Sequence, residues 1–341
     1  MELYAGLDLH SRNTYIGIMD KEFKRVFAKR VSNNLPLIIN TLEPFQDQLK
    51  GIVVESTFNW NWYWLIDGLM DAGYDCLHLA NPSAIKQYEG IKHTDDQFDS
   101  FFLAQMLILG ILPQGYIYPK EERPVRDLAR KRLFLVRHKT SHILSLQSLI
   151  SRCCGQRVSA NEIRTFTVED LQQLLKEEYV VLSAQANLDT IVFLKQQIVQ
   201  LEKAIKNKVK LNKAFQQLLT VPGIGLILAM TIMLEVGDIG RFPQVGNFAS
   251  YSRCVSSQRL SDGKSKGHGN RKNGNRYLSW AFTEAAHLSR RYNDHFRSYY
   301  NRKLAQANTS LATKALSNKL ARICYYIMRD QVPFRENLLS Q

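Results

Sequence analysis

Three aspartates, Asp95, Asp96 and Asp99, crowd the start of the segment Ile91 to Leu109, whose apolar residues Phe98, Phe101, Phe102, Met106 and Leu109 recur at steps of three and four. That period predicts a helix with one buried side. On such a helix Asp96 and Asp99 lie one turn apart on a single face, and Asp95 shares that face with Asp99 at a spacing of four. Like charges so placed repel by roughly a few tenths of a kcal/mol, and a hard divalent cation is the simplest group to set between them. Acids at a helix start also act as caps and dipole partners, so the pair needs company before it means chemistry. Two distant carboxylates offer it. Asp8 stands inside the alternating stretch LYAGLDL, on the face shared by Tyr4 and Gly6, and Glu55 ends the apolar run Gly51 to Ser56. An acid in a strand is costly unless it is paired or ligated. A strand, a strand end and a helix can bring four carboxylates to one edge of a sheet, where they would hold Mg²⁺ through oxygen and clamp a phosphodiester for in-line displacement.

The elements needed to position those acids follow from the pattern. Residues 3–9, the run TYIGIMD and a stretch around Arg25 to Val31 read as three short strands, an antiparallel meander. A helix over Leu35 to Gln48, the buried strand at Gly51, a helix over Trp60 to Ala72, the strand YDCLHLA and a helix from Pro82 follow. This order predicts an α/β domain with a mixed sheet. After residue 118 the pattern becomes helical. Glu121 to Ser151 carries Arg123, Arg126, Arg130, Lys131, Arg132 and Arg137 among leucines, a helix able to track a nucleic-acid backbone or simply to face solvent. From Leu188, apolar residues through Ile205 form a coiled-coil-like seam of about two heptads, read as an arm or oligomer contact. Three regions result: a catalytic domain over 1–118, a helical connector over 119–213, and a mainly α C-terminal domain over 214–341.

The C-terminal region opens on a glycine turn, Val221-Pro222-Gly223-Ile224-Gly225, between two helical runs. It has the form of a helix-hairpin-helix, whose amides and following helix N-terminus can seat a phosphate. An ordinary corner between helices would use the same glycines. Beyond it Arg253, Arg259, Lys264, Lys266, Arg271, Lys272 and Arg276 alternate with glycines, with Asp262 the single acid among them. Dense cations on a flexible backbone suit phosphate approach.

Bulk composition agrees. The 341 residues carry a formal net charge of +14, the sign expected of a protein that binds a polyanion through counterion release. No apolar run is long enough to span a membrane, and the N-terminus lacks a basic start followed by an apolar core. Five scattered cysteines, without the spacing of a zinc site, fit reduced thiols in a cytoplasmic protein with no membrane partner.

Taken together, GLDLH, VVESTFNWNWYWL and KHTDDQFDSFFLA resemble the RuvC-like (RNase H-like) domain of the DEDD transposases, the insertion-sequence 110 group and the Piv/MooV DNA invertases. The resemblance implies that Asp8, Glu55, Asp96 and Asp99 hold Mg²⁺ or Mn²⁺, with Asp95 a rival for the third place. The stretch from VPGIG through EVGDIGRF, FASY and GNRYL resembles the C-terminal transposase domain of the same family. There a serine before a glycine is the nucleophile; by position it is Ser261, with Ser257 and Ser256 open because Asp262 intervenes before Gly263. The family further implies strand exchange on double-stranded donor and target DNA through a phosphoserine link, in a dimer or tetramer. In one branch a structured noncoding bridge RNA guides the reaction. The rival enzyme is a structure-selective nuclease of the Holliday-junction type, in which metals activate water.

Overall fold

The computed structural model describes residues 1–55, 62–85, 95–209, 212–255, 260–267 and 273–336. Arg259, Arg271, Lys272, Ser256 and Ser257, together with the first four residues of the Ile91 segment, lie outside the described residues. The chain divides into two compact units, Met1–Lys120 and Glu121–Gln341.

In the first unit, strands β1 (Leu3–Leu9), β2 (Asn13–Asp20) and β3 (Arg25–Ser32) form the expected meander. Helix α1 (Leu35–Leu42) is shorter than the sequence suggested, because Pro44 sits in a tighter 3-10 turn over Glu43–Gln48. Strand β4 (Leu49–Glu55), helix α2 (Tyr63–Asp71), strand β5 (Leu77–Ala80), the short α3 (Pro82–Ile85) and α4 (Asp96–Ile108) complete it. The sheet order is β3-β2-β1-β4-β5, with the first three strands antiparallel and β4 and β5 parallel to β1. The mixed α/β architecture is therefore as anticipated.

Both faces of this sheet are covered. Leu3, Ala5, Leu7 and Leu9 pack with Ile38 and Leu42 of α1 and Leu65, Ile66 and Leu69 of α2. The opposite face meets α4 through Met19, Phe101 and Ala104 and through Val53, Leu103 and Met106. Gly6 and Gly17, directly opposite each other in the β1–β2 ladder, make room for that helix. A Cβ on Gly6 would collide with the carbonyl of Ser100, one residue past Asp99. Gly6→Ala is accordingly expected to push α4 off the sheet and to destabilise the protein by ~1–3 kcal/mol or more, measured by urea unfolding. An unchanged midpoint would show that the helix has slack.

The second unit is mainly helical. A hairpin of two long helices, α5 (Arg123–Cys154) and α8 (Glu178–Val209), is bridged at its far end by α6 (Ala160–Ile163) and α7 (Val168–Leu174). Arg132 bonds Glu202 while His142 meets Asn187, so the two run antiparallel. On the α8 seam Leu188, Ile191, Leu194, Ile198 and Ile205 are buried and Leu201 is half-buried, and its upper part packs with Ile143, Leu146 and Ile150 of α5. The partner the periodicity demanded is thus in the same chain. A separate core joins α9 (Lys213–Leu218), α10 (Leu226–Val236), α11 (Val245–Tyr251), α12 (Arg276–Tyr292), α13 (Asp294–Gln306) and α14 (Thr309–Asp330). Between α11 and α12 lies a minimal hairpin, β6 (Leu260–Ser261) and β7 (Lys264–Ser265). Among the described residues no helix is long and apolar enough to cross a membrane.

Candidate metal centre and serine loop

Parallel pairing of β1 with β4 puts Leu7 beside Val54, so the next residues, Asp8 and Glu55, end neighbouring strands. Asp8 is only 3% exposed. The Glu55 carboxyl feels the charges of both Asp8 and Asp99. Across the sheet face α4 starts at Asp96, whose carboxylate comes within 3.1 Å of His10 Nε2; the same nitrogen lies 2.9 Å from Asp8 Oδ2. Ligand atoms of Asp8, His10 and Asp96 all fall within 4.8 Å of one another. Arg30, on β3, lies 3.8 Å from the other Asp96 oxygen.

Electrostatics bear the strain of this crowding. Burial raises the Asp8 carboxyl above its ordinary value, opposed by His10 and helped by Asp96. Burial, then the charge of Asp8, pushes Glu55 up to about 7. A cluster of hard oxygen donors that can ionise only against mutual repulsion is chemically suited to a hard divalent cation. Asp95 is used otherwise: its side chain accepts the Phe98 N–H at 2.7 Å and caps α4. Sequence reasoning passed over His10. The available signal was its i+2 spacing from Asp8, which along a strand places both side chains on one face.

In the second unit Ser261 is exposed and pairs with Lys264 across the β6–β7 ladder. Asp262 and Gly263, between them, both take positive φ (51° and 69°). A two-residue hairpin of the mirror-image type needs that conformation, and Asp-Gly is a preferred sequence for it. The aspartate that interrupts the family's Ser-Gly pattern is therefore the turn residue. Residues directly opposite in such a ladder share a face, with Cβ atoms ~5 Å apart, which sets Lys264 beside the serine.

The ends of this loop are tied together. Asn275 donates its backbone N–H to Tyr251 O at 2.6 Å, and Arg253 Nε donates to Gly274 O at 3.0 Å. Beneath them Glu235, 2% exposed, accepts from Asn275 Nδ2 (2.8 Å), Arg130 Nε (2.6 Å) and Arg126 Nε (3.2 Å). Burial works against the Glu235 anion, but the Arg130 hydrogen bond and the two guanidinium charges outweigh it and hold its pKa below the usual value. Arg126 and Arg130 of α5 are thus engaged by Glu235, and Arg132 is engaged by Glu202. The start of that helix is an internal ionic seam, which the alternation of cations and leucines alone could not distinguish from an open basic face. Gly223, at φ +88°, is pressed against α12, where a Cβ would strike the Ser289 backbone, and Ser289 Oγ donates to Pro222 O at 2.7 Å. Gly225 is exposed at the start of α10, and no side chain caps that helix. Lys264, Lys266 and Arg276 are exposed.

Comparison with known proteins matches both regions to transposases. Residues 5–155 match a DEDD family of the insertion-sequence 110 group, described simply as transposase, and residues 215–301 match the transposase IS116/IS110/IS902 family. The chain is 28% identical over 146 residues to the transposase for insertion sequence element IS1328 of Yersinia enterocolitica, covering 42% of this chain and 44% of that protein. A probable family 20 transposase of Pseudomonas aeruginosa is 25% identical over 284 residues, 80% of this chain and 82% of its own. The transposase for IS1111A of Coxiella burnetii is 25% identical over 270 residues, 75% and 72% respectively. The match thus spans less than half of the Yersinia protein but most of the other two.

Proposed function

This chain belongs to the DEDD transposases of the insertion-sequence 110 group, and from that premise we propose that it cuts and rejoins DNA strands using a serine nucleophile and a carboxylate-held divalent cation. The observation that carries the reading is the convergence of Asp8 and Asp96 on His10, beside Glu55 at the end of the strand next to that of Asp8, where Glu55 feels the charges of Asp8 and Asp99. The five-stranded mixed sheet supports an RNase H-like assignment for this unit. Asp8, Glu55, Asp96 and Asp99 are the proposed ligands of Mg²⁺ or Mn²⁺. Asp96 is preferred to Asp95, whose oxygen is spent on the helix cap. A cation there would neutralise charge on the scissile phosphate and on the leaving oxygen. His10 and Arg30 orient Asp96 from the side.

Ser261 is the proposed nucleophile, preferred to Ser256 and Ser257 on the family position. Its Oγ bonds to phosphorus as the bond to the leaving deoxyribose oxygen breaks, and its proton passes to solvent. The phosphodiester becomes a phosphoserine diester, which a strand hydroxyl can later attack to restore DNA. Lys264, beside the serine in the hairpin register, would steady the phosphate. Lys266 and Arg276, with Arg253, Arg259, Arg271 and Lys272 of the same basic stretch, would contact flanking phosphates. The turn at Gly223 and the uncapped start of α10 at Gly225 are a proposed helix-hairpin-helix seat for another. We further propose an oligomer in which the serine of one protomer meets the carboxylates of another, and a structured noncoding RNA that selects donor and target.

Incubation with DNA bearing the element's ends should leave a protein–DNA adduct on denaturing gels, absent in Ser261→Ala and weakened ~10-fold or more in Lys264→Ala. Cleavage by Ser261→Ala at full rate without an adduct would hand the chemistry to water and favour the nuclease.

A further inference from the structure

From His295 to Arg329 the chain holds seven lysines and arginines and no aspartate or glutamate. The acids bounding this stretch are engaged: Asp294 pairs with Arg297 at 2.9 Å and Asp330 with Arg329 at 2.6 Å. Four of the other five gather where α13 packs on α14. Arg302, Lys303 and Lys319 all stand over the ring of Tyr299, at 5.7, 6.0 and 5.3 Å from its centroid. Arg322 follows Lys319 by one helical turn, on the same face. Burial lowers the Lys319 pKa, and the neighbouring Arg322 and Arg302 lower it further.

Elsewhere this protein treats crowded cations differently. Arg126 and Arg130 converge on the buried Glu235, and Arg132 on Glu202. At Tyr299 three cations converge on an aromatic ring, whose face attracts them. An arrangement of this kind gains when a polyanion is laid across it.

We propose that the α13–α14 face formed by Tyr299, Arg302, Lys303, Lys319 and Arg322 is a second phosphate-contact surface, distinct from the glycine-rich loop, that binds the backbone of duplex DNA. Duplex is favoured over single strands because the cations cover the Tyr299 ring, which is then unable to stack on an unpaired base. This rests on the DNA-processing reading above. It adds a region that the family's Ser-Gly and Asp-x-x-Asp motifs do not contain.

The test is binding by the full chain, which does not depend on cleavage. Fluorescence anisotropy with a labelled duplex of about 40 base pairs, repeated across a KCl series, gives the slope of log affinity against log salt. Each phosphate contact contributes about 0.9 to that slope. Arg302→Gln/Lys303→Gln/Arg322→Gln should therefore flatten it by about 2–3, whereas Arg302→Lys/Arg322→Lys should leave it near the parent value. Should the triple variant melt early, Arg302→Gln alone, at an exposed position, should still flatten the slope by about 0.9. An unchanged slope overturns the surface while leaving the transposase reading intact. A loss seen only with a structured RNA hairpin overturns its assignment to DNA. If the unaltered protein binds no duplex at all, the DNA reading itself falls.

Discussion

Replacing Glu55 with glutamine is expected to stabilise the metal-free protein while reducing strand cleavage by roughly 10³-fold or more, since carboxylate-held metals supply several kcal/mol to phosphoryl transfer. The opposite signs come from one cause. The Glu55 carboxyl is pushed up to about 7 by burial and by Asp8, so at pH 8 folding must ionise it in a place that resists charge. A carboxyl whose folded pKa lies above its unfolded value binds more protons when folded, and stability falls as pH rises from about 4.5 to about 7. Asp8 is shifted in the same direction and adds to the slope. Glutamine has no charge to lose there, so the advantage of the variant should grow across that window and level off above it, at most ~1.4 kcal/mol per pH unit. Divalent metal should act in reverse. Mg²⁺ or Mn²⁺ should raise the melting temperature of the parent more at pH 8 than at pH 6, because protons compete for the same oxygens. Tryptophan fluorescence is a suitable monitor, since Trp60, Trp62 and Trp64 all belong to the first unit and Trp280 alone to the second. Glu55→Gln with unchanged cleavage, or with metal-induced stabilisation equal to that of the parent, would remove Glu55 from the metal centre.

The ease with which this centre could be anticipated varied by residue, for physical reasons. Asp8 and Glu55 stood out because acids are rare in or at the end of buried strands, and Asp96 and Asp99 because a helix period fixes their common face. Local spacing could not supply the strand order. That β1 and β4 are parallel neighbours follows from a crossover through α1, a long-range choice made by two-sided burial of the sheet. His10 escaped notice for the same reason: until Asp96 arrives from α4, it reads as the first residue after a strand. The choice between Asp95 and Asp96 was open on spacing and turns on which oxygen caps the helix. The arginines of α5 were the hardest to read. Their sequence neighbours are leucines, and their true counterpart, Glu235, lies 109 residues from Arg126.

Glu235→Ala should be the most destabilising single change in the second unit. It would remove the buried carboxylate that Arg126, 1% exposed, and Arg130 share, and removing one partner of a buried ion pair costs ~3–5 kcal/mol. Urea unfolding would register this as a lower midpoint with little change in slope. Stability alone does not explain why the node lies where it does. Glu235 also holds the side chain of Asn275, whose oxygen accepts from the first amides of α12 and whose backbone N–H closes the loop onto Tyr251. Arg130 further lies 4.6 Å from the Tyr277 ring. These contacts fix where the chain enters and leaves the hairpin that carries Ser261. Replacing Arg126, Arg130 and Glu235 together by methionine separates the two roles, because an apolar trio of similar volume is often neutral or better for stability. The expected result is a protein that melts within a few degrees of the parent yet forms the serine adduct at least ~10-fold more slowly, with Asn275 released from its anchor. A triple variant that is both stable and fully active would reduce the node to packing. One that unfolds would leave Glu235→Gln, which keeps an acceptor for Asn275 but not the charge, to show whether adduct formation follows the hydrogen bond or the fold.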